Sequence, residues 1–254
     1  MGNSVMKKLA ALIIEDRFFE DFGKTCHEHM KFLPKDTDLC IYTSEEHQEK
    51  YTKQLAEYKI TPIFKSYNQD TPIPHSIKYI NGVDQFLADK HMKALFNMCM
   101  VMTTPEFWKD YFGYERLLIF QRDSAILREG IEEFFEYDYV GAPCYNFVKD
   151  QTIQNGGLSL RNPKIMEYIC RLYGWSSDLQ DLMVVGQYST ASFFAEDIFF
   201  CLRMIKYNAG ILAPLEASKK FSCESKHELG TLGYHRISAY MTEDEVKSIQ
   251  NQYN

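Results

Sequence analysis

Asp123 follows an apolar run, in the stretch Leu-Leu-Ile-Phe-Gln-Arg-Asp-Ser over residues 117–124. The run predicts a buried strand, and in open α/β sheets ligands bind at the carboxyl ends of the strands. A carboxylate at that position suits a divalent cation that bridges the phosphates of a substrate. On these residues alone, a turn residue that accepts hydrogen bonds from backbone N–H groups is an equally good interpretation.

Two adjacent acids, Glu196 and Asp197, precede a strongly apolar helix and have aromatic residues on both sides. Acids in a first turn interact favourably with the helix dipole, which is a common structural role. A carboxylate walled by apolar surface also loses hydration, and its raised pKa then suits a general base. His235 is a further candidate, because histidine binds metals when carboxylate and phosphate oxygens complete the shell.

The pair Gly156–Gly157 follows Asn155 and opens a predicted strand. Bare backbone allows another group to approach closely, and the Asn155 amide would be able to contact a sugar hydroxyl. A simple glycine turn before the strand is the alternative. The spacing is not the G-x-G-x-x-G pattern of a dinucleotide site, so no nucleotide fingerprint is inferred from it.

The elements that would position these residues alternate along the chain. Strands are predicted at 9–17, 38–44, 117–121, 138–142 and 156–160, with a strand pair in 210–225. Helices are predicted at 20–33, 45–58, 83–102, 105–112, 163–173, 193–207 and 242–253. This alternation indicates βαβ units, a largely parallel sheet and a single domain over residues 1–254.

Composition narrows the function classes. The 254 residues are 45% hydrophobic and 15% aromatic, which is enough core material for one α/β domain. The net charge of −7 excludes a strongly basic overall nucleic-acid surface, although a local basic groove stays open. Seven scattered cysteines without a C-x-x-C pair favour a reducing compartment such as the cytoplasm over disulfides or zinc. No apolar run is long enough for a transmembrane segment.

Taken in order, the motifs resemble a family grouped with the GT-A glycosyltransferases. Its members typically carry F-W before F-Q-x-D-S, then Y-D-Y-x-G-A-P, N-G-G-x-S-L-R, E-D-x-F-F and a late G-x-H. Here they read Phe-Trp at 107–108, Phe-Gln-Arg-Asp-Ser at 120–124, Tyr-Asp-Tyr-Val-Gly-Ala-Pro at 137–143, Asn-Gly-Gly-Leu-Ser-Leu-Arg at 155–161, Glu-Asp-Ile-Phe-Phe at 196–200 and Gly-Tyr-His at 233–235. The resemblance spans residues 86–237 and implies a GT-A-like, Rossmann-like sheet, mostly parallel and flanked by helices.

The resemblance also implies roles for individual residues. Donor binding is assigned to Glu15, Arg17, Asn97, Gln121, Arg122, Asp123 and Lys220. Asp123 and His235 would bind Mn²⁺ or Mg²⁺ against the diphosphate of a nucleotide-sugar. The segment Asn155, Gly156, Gly157 would border the donor sugar and the acceptor. Asp197, with Glu196 as the alternative, would take the proton from the acceptor hydroxyl, as in inverting enzymes.

One departure from the family pattern concerns the metal. Gln121 stands where the first aspartate of a D-x-D motif is found, so the site has one fewer negative charge. Metal affinity is therefore expected to be low, and either Arg122 or the pair Lys219 and Lys220 is expected to neutralise part of the diphosphate instead.

The implied activity is transfer of a hexosyl or pentosyl group from a nucleotide-sugar, with a UDP-sugar favoured, to an acceptor hydroxyl. The sequence leaves four acceptor classes possible: a glycan, a protein, a small molecule and a modified base in DNA. The last would be expected of a phage or viral enzyme that acts in a host cytoplasm. Two rival functions remain. A nucleotidyltransferase would favour a glycine-rich phosphate loop after the first strand, where Ile-Ile-Glu-Asp-Arg-Phe-Phe (13–19) has no glycine. A non-catalytic nucleotide-sugar-binding module would bind the donor without turnover.

Overall fold

The computed structural model describes residues 7–15, 17–66, 90–148, 151–173, 195–224, 229–239 and 241–252. The described strands are β1 (Lys7–Ile14), β2 (Asp38–Thr43), β3 (Ile63–Ser66), β4 (Tyr114–Phe120), β5 (Ser124–Ile126), β6 (Tyr139–Val148), β7 (Gln151–Arg161), β8 (Ser222–Cys223) and β9 (Gly233–His235). The described α-helices are α1 (Phe22–Met30), α2 (Glu45–Ala56), α3 (Lys90–Met102), α4 (Pro105–Lys109), α5 (Pro163–Leu172), α6 (Glu196–Tyr207), α7 (Leu215–Phe221) and α8 (Glu243–Asn251).

The central sheet has the strand order β3-β2-β1-β4-β7-β6. The first four strands in this order are parallel to one another, while β7 is antiparallel to both β4 and β6. Two residues separate β6 from β7 in the sequence, and antiparallel neighbours can be joined that closely whereas parallel ones cannot. The predicted mixed, mostly parallel sheet flanked by helices is confirmed.

Strand β1 shows why the sheet is covered on both faces. Its side chains alternate between two apolar clusters, with Leu9, Ala11 and Ile13 in one and Ala10 and Leu12 in the other. Helices α1, α2 and α7 contribute buried residues to the first cluster, and α3, α4, α5 and α6 to the second. A strand buried on both faces needs the continuous apolar run that the sequence carries at this position.

A second, small sheet in the order β5-β9-β8 brings the C-terminal part of the chain to the end of β4. Strand β5 begins four residues after β4 ends, and its Ser124 pairs with His235 of β9. Residues that are more than a hundred positions apart in the sequence therefore meet at one edge of the central sheet.

The predicted strand pair in residues 210–225 is wrong. Residues Leu215–Phe221 form α7, and only Ser222–Cys223 that follow form a strand. Ser218 and Phe221 are buried three positions apart, which is helical spacing, and the Ser218 hydroxyl donates a hydrogen bond to the Gly141 carbonyl at 2.5 Å.

The remaining predicted helices are found with small changes in their ends. Residues 83–89 of the predicted helix at 83–102, residues 193–194 of that at 193–207 and residue 253 of that at 242–253 lie outside the described residues. Across the described ranges, no helix has the length and apolar character needed to cross a lipid bilayer.

Candidate active site

The chain turns sharply where β4 ends. The backbone N–H of Gln121 donates to the Gly157 carbonyl at 2.8 Å, and the Ser124 N–H and hydroxyl both donate to the Gln121 carbonyl. Asp123 lies at the outer point of this turn with its side chain 49% exposed. It therefore stands at the carboxyl edge of the sheet, where α/β folds bind ligands.

His235 lies directly against this turn. Its buried ring places Nε2 3.1 Å from Gln121 Oε1 and 3.5 Å from Asp123 Oδ1. The backbone N–H of Arg236 donates to the Asp123 carbonyl at 2.9 Å, so the backbones of the two segments are joined as well. We call Gln121, Asp123 and His235 the Asp123 corner.

Electrostatics within the Asp123 corner favour the charged forms. Burial acts to raise the pKa of Asp123, but the hydrogen bond and the charge of His235 outweigh it, and the pKa of Asp123 lies below its ordinary value. For His235, burial acts to lower the pKa, but Asp123 and Glu224 outweigh it, and its pKa is raised. The ionised form of Asp123 and the protonated form of His235 thus stabilise each other.

The donor atoms of the Asp123 corner fit a divalent cation. Two ligands in adjacent positions on a cation with bonds of about 2.1 Å lie about 3.0 Å apart, and Asp123 Oδ1, His235 Nε2 and Gln121 Oε1 have separations of 3.1 and 3.5 Å. Among the residues that the structure describes, no group of three or more His, Cys, Asp or Glu side chains is arranged for a metal. The protein would therefore supply few ligands, and phosphate oxygens and water the rest.

The glycine pair lies between the Asp123 corner and the paired acids. The register of β6 with β7 shifts between Gly141, which pairs with Ser159, and Ala142, which pairs with Asn155, so residues 156–158 form a bulge. The Asn155 side-chain carbonyl accepts a hydrogen bond from the Gly157 N–H at 2.7 Å.

Both glycines are needed for close contact. A Cβ on Gly157 would lie 2.2 Å from His235 Nε2, and one on Gly156 would lie 2.3 Å from Glu196 Oε1. The glycines therefore let His235 approach one side of the bulge and Glu196 the other.

Glu196 is bound in a buried ion pair with Arg161 of β7. Arg161 Nη1 lies 2.5 Å from Glu196 Oε2, and Nη2 lies 2.9 Å from Oε1, a two-point contact. The guanidinium is enclosed by the rings of Tyr139, Phe200 and Trp108, and neither charged side chain is more than 6% exposed. Both carboxylate oxygens of Glu196 are thus engaged by one cation.

Asp197 has a different environment from its neighbour. Its Oδ2 accepts from the Gly156 N–H at 3.0 Å, its Oδ1 accepts from the Ile198 N–H at 2.7 Å, and the residue is partly exposed. Burial and then the charge of Glu196 raise the pKa of Asp197 to about 7, against the opposing effect of these hydrogen bonds and of Arg161. We call Arg161, Glu196 and Asp197 the Asp197 corner. The partly exposed Asp197 carboxyl can exchange a proton near neutral pH.

The structure brings together eight of the residues proposed from the sequence, directly or through the bulge: Gln121, Asp123, Asn155, Gly156, Gly157, Glu196, Asp197 and His235. At the end of β1, which neighbours β4 in parallel, buried Glu15 accepts hydrogen bonds from the Arg17 backbone N–H and guanidinium at 2.7–3.1 Å. This pair therefore lies at the same edge of the sheet as the Asp123 corner.

The other proposed donor residues have surroundings of their own. The Arg122 guanidinium stacks 4.6 Å from the Phe19 ring centre and lies 3.9 Å from Asp21. Asn97 is buried on α3, and Lys220 is exposed on α7.

Two site residues were not singled out from the sequence. Arg161 is the last residue of the mostly buried strand β7, and a buried arginine requires an acidic partner, which is a usable signal. Glu224, 3.4 Å from His235 Nδ1, follows a two-residue strand that has no sequence pattern of its own.

Comparison with solved structures identifies proteins that have a similar fold. The chain superimposes on mouse xyloside xylosyltransferase 1 in its apo form with a TM-score of 0.54 at 10% identity, covering 93% of this chain and 99% of that chain. The apo-form glycosyltransferase GlyE of Streptococcus pneumoniae TIGR4 gives a TM-score of 0.49 at 12% identity, with coverage of 97% and 60%. The fold is thus of the GT-A glycosyltransferase type, as the motifs predicted.

Sequence comparison adds a family. No curated protein matches the chain. A family model described as "Protein of unknown function (DUF5672)" matches residues 83–236, which include the Asp123 corner, the glycine pair and the Asp197 corner. Because that match covers more than half of the 254 residues, the chain belongs to the DUF5672 family.

Proposed function

We propose that the protein is a nucleotide-sugar-dependent glycosyltransferase that moves a hexosyl or pentosyl group from a UDP-sugar to an acceptor hydroxyl. One observation carries the proposal. The glycine bulge of β7 holds the Asp123 corner on one side and the Asp197 corner on the other, at the carboxyl edge of a GT-A-like sheet. The Asp123 corner, whose charged groups are suited to binding a diphosphate, thus lies beside Asp197, an acid that is suited to accept a proton.

On the donor side, Asp123 and His235 would hold Mn²⁺ or Mg²⁺, with Gln121 beside them. The cation would neutralise charge on the leaving diphosphate. Since Gln121 contributes no charge, Arg122, Lys219 and Lys220 are proposed to share that role. Glu15, Arg17 and Asn97 are proposed to border the nucleoside, the first two because they lie at the same edge of the sheet.

On the acceptor side, Asp197 is proposed as the general base. The acceptor oxygen attacks the anomeric carbon, the bond from that carbon to the phosphate oxygen breaks, and the proton of the hydroxyl passes to Asp197. Glu196 is less suited, because Arg161 occupies both of its oxygens. The Asn155 carbonyl is used by Gly157, so its amide NH₂ would contact a sugar hydroxyl.

This geometry predicts inversion at the anomeric carbon, because the base acts on the acceptor in a single displacement. The anomeric configuration of the product, followed by ¹H NMR from the first turnover, tests it. Retention of configuration would contradict the role of Asp197 as the base. The proposal for donor binding would still stand. Release of sugar 1-phosphate from the donor, or of pyrophosphate from a nucleoside triphosphate, in place of a nucleoside diphosphate would indicate the rival nucleotidyltransferase.

The acceptor is proposed to be a molecule with a free hydroxyl, from among a glycan, a protein, a small molecule and a modified DNA base. The net charge of −7 is a weak argument against DNA. Incubation of the active donor with each acceptor class, followed by mass spectrometry, would identify the product that has gained one sugar.

The donor is tested by thermal stabilisation with UDP-, GDP- and dTDP-sugars, each with and without Mn²⁺. Ligand at 100 times its dissociation constant adds about 2.7 kcal/mol to the free energy of unfolding. We expect a UDP-sugar with Mn²⁺ to give the largest shift, and Asp123→Ala to abolish it. Asp36→Ala removes an exposed aspartate before β2, at the opposite edge of the sheet, and should respond as the wild type does. Equal shifts in both variants would contradict the assignment.

A further inference from the structure

Glu224 lies beside His235 because of the register of the small sheet. Strand β8 pairs with β9 in parallel, Ser222 with Gly233 and Cys223 with Tyr234, so the next residue on each strand is brought to the same level. Glu224 Oε1 lies 3.4 Å from His235 Nδ1, and the Glu224 side chain is only 13% exposed. A carboxylate this well enclosed interacts strongly with its neighbour, because little water screens it.

The imidazole ring is confined on its other sides. Gly157 lies so close that a Cβ there would be 2.2 Å from Nε2 and 2.5 Å from Cε1. Nε2 faces Gln121 Oε1 and Asp123 Oδ1. The enclosed Nδ1 makes no hydrogen bond of standard geometry within the described part of the chain, and the Glu224 carboxylate lies 3.4 Å from it. The two ring nitrogens thus face different partners.

A neutral imidazole carries one N–H, so only one of its nitrogens can donate a hydrogen bond. Ionised Glu224 is an acceptor only and requires the hydrogen on Nδ1. Asp123 would require it on Nε2, but its side chain is 49% exposed, so water screens it more. Gln121 is compatible with either form, because its amide can present its NH₂ group to an Nε2 lone pair.

We propose that Glu224 is a positioning residue: it accepts the Nδ1–H of His235 and so directs the Nε2 lone pair at the Asp123 corner. The inference rests on the proposed function, in which Nε2 contacts the cation on the diphosphate. A carboxylate behind a metal-binding histidine fixes both the tautomer and the ring orientation, and its removal typically lowers metal affinity about 10- to 100-fold.

The tautomer is measured directly by ¹H–¹⁵N correlation NMR of the histidine side chains at pH 8. The His235→Gln spectrum assigns the signals of His235. His29 serves as internal reference, because its Nδ1 lies 2.8 Å from the Thr25 carbonyl and must donate to it. We expect wild-type His235 to show the same Nδ1–H form as His29. The Nε2–H form, or an imidazolium, in the wild type would overturn the proposal without any variant being required.

Variants of Glu224 then distinguish its role as a hydrogen-bond acceptor from the effect of its charge. Glu224→Gln keeps an acceptor and should keep the Nδ1–H form, whereas Glu224→Ala should shift His235 towards Nε2–H. Glu216→Ala, which removes an acid 75% exposed on α7, should leave the tautomer unchanged. An unchanged tautomer in Glu224→Ala would overturn the proposal.

Metal binding provides the second readout. In titrations of each protein with Mn²⁺ alone, followed by electron paramagnetic resonance, Glu224→Ala should bind about 10- to 100-fold more weakly than the wild type. Glu224→Gln should stay close to the wild type, and equal affinities in all three proteins would contradict the role of Glu224 towards the cation. Neither experiment uses a sugar donor, so a failed search for glycosyl transfer would leave both results interpretable.

Discussion

The Asp123 corner and the Asp197 corner each place an aspartate beside the same glycine bulge, yet the two acids have opposite properties. The pKa of Asp123 is lowered, because His235 outweighs the effect of burial, while burial and Glu196 raise the pKa of Asp197 to about 7. One aspartate stays ionised and the other can take up a proton at neutral pH. The contrast shows that the surroundings of each carboxylate, rather than the residue type, set its pKa and thus the role it suits.

The difference arises from burial, since Asp197 is less exposed than Asp123, and from the sign of the nearest charge. The His235 ring, which is positively charged when protonated, lies 3.5 Å from Asp123, whereas the residue preceding Asp197 is itself an acid. Arg161 neutralises Glu196 directly. Its charge also acts to lower the pKa of Asp197, but it offsets only part of the rise that burial and Glu196 cause. The following predictions test this division, from the largest expected effect to the smallest.

Asp197→Asn should reduce the transfer rate by about 10²- to 10⁴-fold, because removal of a general base costs that much. Steady-state kinetics with the donor found in the thermal screen would measure it. Asp244→Asn, which changes an exposed acid on α8, is the matched control. Near-normal turnover in Asp197→Asn would rule this residue out as the base.

Arg161→Met should lower the free energy of unfolding by about 3–5 kcal/mol, because it leaves the buried Glu196 charge without its partner. Denaturant unfolding would measure the loss. Adding Glu196→Leu to Arg161→Met should recover much of it, since no buried charge then remains. A double variant as unstable as Arg161→Met alone would show that ring packing around Arg161, rather than charge, dominates.

Gly157→Ala tests the contact that joins the two corners. The new Cβ would lie 2.2 Å from His235 Nε2, so the ring must move, and a displacement of about 1 Å in a catalytic group can cost about 10²-fold in rate. Transfer should fall while the fold remains, and thermal melts would verify the latter. A Cβ on Gly113 meets no atom within 4 Å, so Gly113→Ala should be neutral. A fully active Gly157→Ala would mean that the position of His235 does not matter.

The pH dependence should separate the two aspartates. Asp197 must be ionised to accept a proton, so with a pKa of about 7 kcat/KM should fall about fivefold from pH 7 to pH 6. Its raised pKa stabilises the fold fully below the ordinary value near 4, and this contribution is lost as the pH rises through about 7. Asp123, with a lowered pKa, contributes stability at neutral pH that is lost as the pH falls below its ordinary value.

Relative to Asp197→Asn, the wild type should therefore lose stability as the pH rises from about 4 to about 7. Relative to Asp123→Asn, it should lose stability on acidification below about 4. Urea unfolding at a series of pH values compares the three proteins. Parallel stability curves would mean that neither acid has a shifted pKa.

Much of this arrangement can be predicted from the sequence, because local patterns carry it. The apolar run of β1 and the alternation of strands and helices predict the sheet, and the ordered motifs indicate the fold type. Glu196 and Asp197 can be proposed as a pair, but the sequence does not say which acid meets Arg161. That choice depends on how α6 packs against β7, which is a tertiary contact.

The misses differ in cause. Residues 215–221 were expected in a strand pair, but Leu, Glu, Ala and Lys favour a helix, in which Ser218 and Phe221 pack against the sheet. Glu224 was not proposed as a site residue because a two-residue strand carries no register signal, and only its pairing with β9 places it beside His235.

Calorimetric titration of UDP in the presence of Mn²⁺ into wild type, Asp123→Ala and Asp197→Asn tests the division of roles most directly. If the Asp123 corner binds the donor and Asp197 acts on the acceptor, Asp197→Asn should bind UDP as the wild type does, and Asp123→Ala should bind at least about tenfold more weakly, a loss of about 1.4 kcal/mol. Equal binding by the two variants, or weaker binding by Asp197→Asn, would contradict it.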